Sequence, residues 1–127
     1  MYKLIIITLF FSLMTGCTTL SDSVAAKGTG EFKKYESSKA DIWPVVVQAV
    51  KATDLDFVSE SEKSGMILAE RGASVFSYGE NVAIFVEEES ENSCKVEVVS
   101  KKSMETNIFA PDWSKEIFEN IDKGLKK

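Results

Sequence analysis

The chain has 127 residues, which is room for one domain. Fifteen Lys and Arg against 20 Asp and Glu give a net charge of -5, which argues against nucleic-acid binding, because duplex contact needs a basic footprint to displace counterions. There is no histidine, so the Ser–His and Cys–His nucleophile pairs and the commonest metal ligand are excluded, and two cysteines are too few for a Cys-rich zinc site or a disulfide framework. No cofactor is expected.

The N-terminus reads as an export signal. Met1, Tyr2 and Lys3 form a short segment with one positive charge, and Leu4 to Met14 is apolar except for Thr8 and Ser12. That run is too short to span a bilayer, which takes about 20 apolar residues. It fits the apolar region of a secretory signal, and the small residues Thr15 and Gly16 follow it. Then comes Cys17. The string Leu13-Met14-Thr15-Gly16-Cys17 resembles the lipobox of bacterial lipoproteins, with Met14 where the family usually has leucine. The resemblance implies a signal peptide over residues 1–16, a diacylglycerol on the Cys17 thiol, and Cys17 as the acylated first residue of the mature protein. Two or three acyl chains anchor durably where one binds only marginally. Thr18 stands where an aspartate would retain an enterobacterial lipoprotein in the inner membrane. The resemblance therefore implies the outer membrane, facing the periplasm, rather than the inner one.

Residues 17–30 are expected to be the lipidated cysteine and a flexible tether, since Thr18 to Gly30 is small and polar with no apolar period. A single domain is expected over 31–127. Phe32 and Tyr35 mark a short first strand within Glu31 to Ser37. Ile42, Trp43, Val46, Val47 and Val50 form one stripe at helical spacing. Either Ser38 or Asp41 can cap that helix; under Ser38, Pro44 lies deep enough to kink it. Leu55 to Glu62 and Met66 to Glu70 form a hairpin about a Lys63-Ser64-Gly65 turn. Arg71 to Gly79 is an irregular connection. Asn81 to Glu87 alternates, with Val82, Ile84 and Val86 on one face and Ala83 and Phe85 on the other. Cys94, Val96 and Val98 share the next strand's apolar face, opposite Lys95 and Glu97. After the irregular Ser103 to Pro111, a final helix puts Trp113, Ile117, Phe118, Ile121 and Leu125 on one stripe.

The order is strand, helix, four strands, helix. It predicts an α+β fold: an antiparallel sheet of about five strands with both helices on one face. The phrases ADIWPVVVQAV (Ala40 to Val50) and EKSGMILAER (Glu62 to Arg71) resemble small bacterial lipoprotein domains of unknown function. These are similar in turn to the helix-grip domains of the lipoprotein component of the outer-membrane β-barrel assembly machinery. The resemblance implies a fold and a periplasmic setting, and none of its motifs is catalytic.

Few residues can carry chemistry. The acidic run Glu87 to Glu91 lacks the Gly and alternating ligands of a calcium loop and reads as a solvated hairpin tip. Cys94 lies on an apolar face and reads as a buried, unpaired thiol. Trp43 and Trp113 sit on helix stripes and read as core. Phe76, Tyr78, Ile108 and Phe109 are different. They fall in the two irregular segments, where no helix or strand requires them, and form a candidate partner-binding patch. The function expected is a membrane-anchored, non-catalytic interaction module with a protein partner in the envelope. The alternative is a module that holds a small apolar ligand between sheet and helix.

Overall fold

The computed structural model describes residues 19–72, 79–102 and 112–127. Over that span the chain runs α1 (Leu20–Ala25), β1 (Glu31–Tyr35), α2 (Lys39–Lys51), β2 (Asp56–Ser61), β3 (Met66–Arg71), β4 (Glu80–Ser90), β5 (Ser93–Lys102) and α3 (Trp113–Leu125). The five strands form one open antiparallel sheet in the order β1-β5-β4-β3-β2. The expected α+β class and strand count hold. Strands β2 to β5 follow one another as hairpins, while β1 crosses to pair with β5, Tyr35 opposite Cys94 and Glu31 opposite Val98.

Alternation sorts the strands into two faces. Ile67 and Ala69 of β3, Val82, Ile84 and Val86 of β4, and Cys94, Val96 and Val98 of β5 point to one side. There they meet Ile42, Val46 and Val50 of α2 and Ile117 and Ile121 of α3, all of them fully buried. Both long helices thus cover the same face, and this layer is the main core. Tyr35 closes it at the β1 edge.

Ser38 caps α2, its Oγ accepting from the Asp41 amide at 3.1 Å. Pro44 therefore lies in the second turn, yet the helix runs unbroken to Lys51. Pro44 and Ala40, whose carbonyl loses its i+4 donor to the proline, are both exposed, so the missing bond falls on the solvent side of the helix. Asp112 caps α3, its carboxylate accepting from the Ser114 amide at 3.0 Å. Leu125 was expected on the buried stripe of α3, but it is exposed in the last turn, at a cavity it lines with Lys33 and Tyr35 of β1. Between β2 and β3, Gly65 takes a positive φ of 70° and donates to the Ser61 carbonyl at 2.8 Å. A β-carbon there would collide with the carbonyl of Val86.

The largest departure from expectation lies at the N-terminus. Residues 20–25, expected as flexible tether, form a helix on the opposite face of the sheet. Val24 and Ala26 pack on Ala83, Phe85 and Val99, with Met66 and Leu68 beside them. The sheet is therefore covered on both sides, by two long helices on one and a short one on the other. Two small apolar residues suffice because the strand residues beneath already supply an apolar surface.

Candidate functional site

Cys17, Phe76, Tyr78, Ile108 and Phe109 lie outside the described residues. The roots of the two candidate segments are described. Arg71 ends β3, Glu80 begins β4 and Lys102 ends β5, and these three are consecutive register partners across the sheet. Both segments therefore leave the sheet at one end, from adjacent strands. The Arg71 guanidinium lies 5.6 Å from the ring centre of Trp113, the first residue of α3. Trp113 is buried, and its Nε1 has no hydrogen-bond partner among the described residues. Glu80 is also buried here, within the strand that joins the two roots.

Trp43 is buried on α2, as its stripe predicts. Cys94 is buried and free. Burial pushes its thiol up, and the nearby Glu88 carboxylate adds to this against the opposing charge of Lys39. Such a thiol is held in its unreactive form. In the acidic run, Glu87 is anchored by Lys27 and Lys95. The hydrogen bond from Lys27 holds its carboxyl below the usual glutamate range. Glu89 pairs with Lys34 at 3.5 Å, and Glu88 and Glu91 are exposed. Among the described residues no group of three or more His, Cys, Asp or Glu side chains converges as a metal site. None of the helices among them is long and apolar enough to cross a membrane.

A groove of about 550 Å³ lies between α2 and α3, lined by Pro44, Val45, Ala49, Ala52 and Gly124 with Lys123 at its rim. It is on the outer side of the helix layer, away from the sheet. The helices approach closely beneath it, for a β-carbon on Gly124 would stand 2.7 Å from Cγ1 of Val45. Asn120 bridges them, donating to the Ala49 carbonyl at 3.1 Å. Each open sheet edge carries features that discourage further strand pairing. β1 exposes Lys33 and Lys34, and β2 exposes Asp56 and Glu60 and is bent by a register shift that leaves Val58 outward.

One functional-looking feature escaped the sequence reading. Glu97 is buried on the second face, and its Oε2 accepts from the amides of Gly28 at 2.7 Å and Gly30 at 2.9 Å. This carboxylate clasps the chain as it passes from α1 into β1. Close approach explains the glycine, since a β-carbon on Gly30 would run into the Val98 carbonyl. A signal was present: Thr19 and Asp22 have capping-box spacing, and the Asp22 carboxylate accepts from the Thr19 amide at 2.6 Å. The chain matches no protein-family model, and comparison with curated proteins gives no relative.

Proposed function

We propose that this protein is a lipid-anchored module of the bacterial envelope that binds a protein partner through the end of the sheet bearing residues 73–78 and 103–111. The observation that carries this reading is the register of Arg71, Glu80 and Lys102, which roots both segments on neighbouring strands. Phe76, Tyr78, Ile108 and Phe109 are thereby attached to one end of one sheet. The stripes of the described helices and strands form a buried core among themselves. Aromatic residues of this kind are the usual anchors of an interface. The anchor at Cys17 rests on the signal-like N-terminus and the lipobox resemblance. An apolar-ligand role has less support: the groove between α2 and α3 lies on the outer side of the helices, and the cavity between β1 and α3 is lined mainly by polar and charged residues, Lys33, Tyr35, Asp122 and Lys126.

The test is the double variant Phe76→Ala with Phe109→Ala in the chain from Cys17 to Lys127, used as bait on detergent-solubilised envelope. An unchanged melting temperature with loss of the proteins retained by the parent chain is the expected result. A large fall in melting temperature would place these residues in the core and remove the proposed interface.

A further inference from the structure

We infer that the second face of the sheet, at its β1 side, rests on the lipid bilayer, with Phe32 as the residue that enters the interface. This inference depends on the proposed lipid anchor and adds an orientation to it.

The first step is the path of the chain. α1 lies on the second face and is held there by Val24, Ala26 and the Glu97 clasp. Cys17 stands only two residues before Thr19, whose amide is fixed by Asp22. Two residues reach at most about 7 Å. A lipid on Cys17 therefore brings the membrane surface to the side of the sheet that carries α1, with no long spacer to let the domain tumble.

The second step is what that side presents. Phe32 is 60 % exposed, the most exposed large apolar residue among the described ones. It faces the same side as α1, since its register partner is Glu97. Lys95 holds its ammonium 5.5 Å from the Phe32 ring centre, and Lys27 sits 5.3 Å from that of Phe85 in the same way. An exposed aromatic ring beside a lysine stem is a composition that suits a headgroup layer, with ring and methylenes toward lipid and the ammonium toward water.

The third step sets the kind of lipid surface. Lys27 and Lys95 are both paired with Glu87, and Lys34 with Glu89. These three lysines thus share two carboxylates, and the whole chain is acidic. Contact is through the apolar residue rather than through attraction to anionic headgroups. Such a contact is weak alone, and becomes effective because the anchor makes it intramolecular.

The experiment couples the Cys17 thiol of the chain from Cys17 to Lys127, which carries every described element, to maleimide-bearing phosphatidylcholine vesicles in a Cys94→Ala background. Phe32→Trp is compared with Val58→Trp, on the far edge strand β2, using lipids brominated in the acyl chain as quenchers. The parent chain gives the signal of the buried Trp43 and Trp113. Quenching and a blue shift confined to Phe32→Trp, and unchanged by raised salt, are expected. Absence of quenching in Phe32→Trp, equal quenching in Val58→Trp, or loss of the effect in salt would overturn the inference. The coupling bypasses cellular acylation, so failure of the lipid anchor is read separately, from the mass of Cys17 in protein isolated from cells.

Discussion

The Arg71 guanidinium lies 5.6 Å from the Trp113 ring centre and joins the end of β3 to the first turn of α3. The two residues bracket the candidate interface. Trp113 packs in the main core, so Trp113→Ala should cost about 3 kcal/mol or more. Arg71→Ala should cost about 1 kcal/mol, the scale of a partly exposed cation–π contact. Because the Trp113 Nε1 makes no hydrogen bond to a described residue, Trp113→Phe should cost much less than Trp113→Ala. Urea denaturation of the single and double variants checks the pair, and a double-mutant coupling near zero would show that Arg71 and Trp113 act independently.

Glu97 should hold the N-terminal segment rather than the core. Two charge-assisted hydrogen bonds from Gly28 and Gly30 are removed in Glu97→Ala, for a loss of about 2 kcal/mol. Glu97→Gln keeps an acceptor and should lose less. Hydrogen exchange gives the decisive pattern: the amides of residues 28 and 30 should lose protection in Glu97→Ala, while those of β3 and β4 keep theirs.

Alkaline pH should destabilise the fold through two buried groups. Burial raises the Cys94 thiol above its ordinary value of 9.0. Burial first, and the Asp122 carboxylate second, raise the Tyr35 hydroxyl above its ordinary 10.0. A raised value means that the folded state keeps its proton where the unfolded chain has released it. Stability is therefore full below these ordinary values and falls as pH rises past them. Thermal melts from about pH 7 to about pH 11 should show this decline. Tyr35→Phe should flatten its upper part, because it removes the buried hydroxyl that faces the Asp122 carboxylate.

Cys94 should resist modification. Native protein should react with a thiol reagent far more slowly at Cys94 than denatured protein does. Cys94→Asp would bury an unpaired charge beside Val96 and Val98, at a cost on the order of several kcal/mol. Rapid labelling under native conditions would contradict the buried placement.

Cys17→Ser should block acylation and leave a chain that is no longer recovered with the membrane fraction. An unmodified Cys17 at the mature N-terminus, found by mass spectrometry, would refute lipidation.

The main core was legible because its residues obey two simple periods. Val82, Ile84 and Val86 alternate, Ile42, Val46 and Val50 recur at helical spacing, and each pattern names its own face. The second face was harder to read. Glu97 stands opposite the apolar face of β5, and nothing local says what it meets there, although Ala83, Phe85 and Val99 on that same side are too apolar to be left bare. What covers them is a six-residue helix, too short to show a period, fixed by a carboxylate distant in sequence. The Ser38 cap was likewise open, because local spacing allowed either residue, and the hydrogen bond from the Asp41 amide to the Ser38 Oγ resolves the choice.

The pairing of β1 with β5 has a consequence for how the molecule assembles. Every other strand pairing joins neighbours in sequence, whereas the clasp that delivers β1 links residues 69 positions apart. Loop closure over that distance is entropically costly until the receiving strand exists. That separation predicts an order in which the hairpins of β2 to β5 form first and β1 and α1 dock onto a nearly finished sheet. Run backwards, the same order predicts that α1 and β1 open first, uncovering Phe85, Val99 and the backbone of β5.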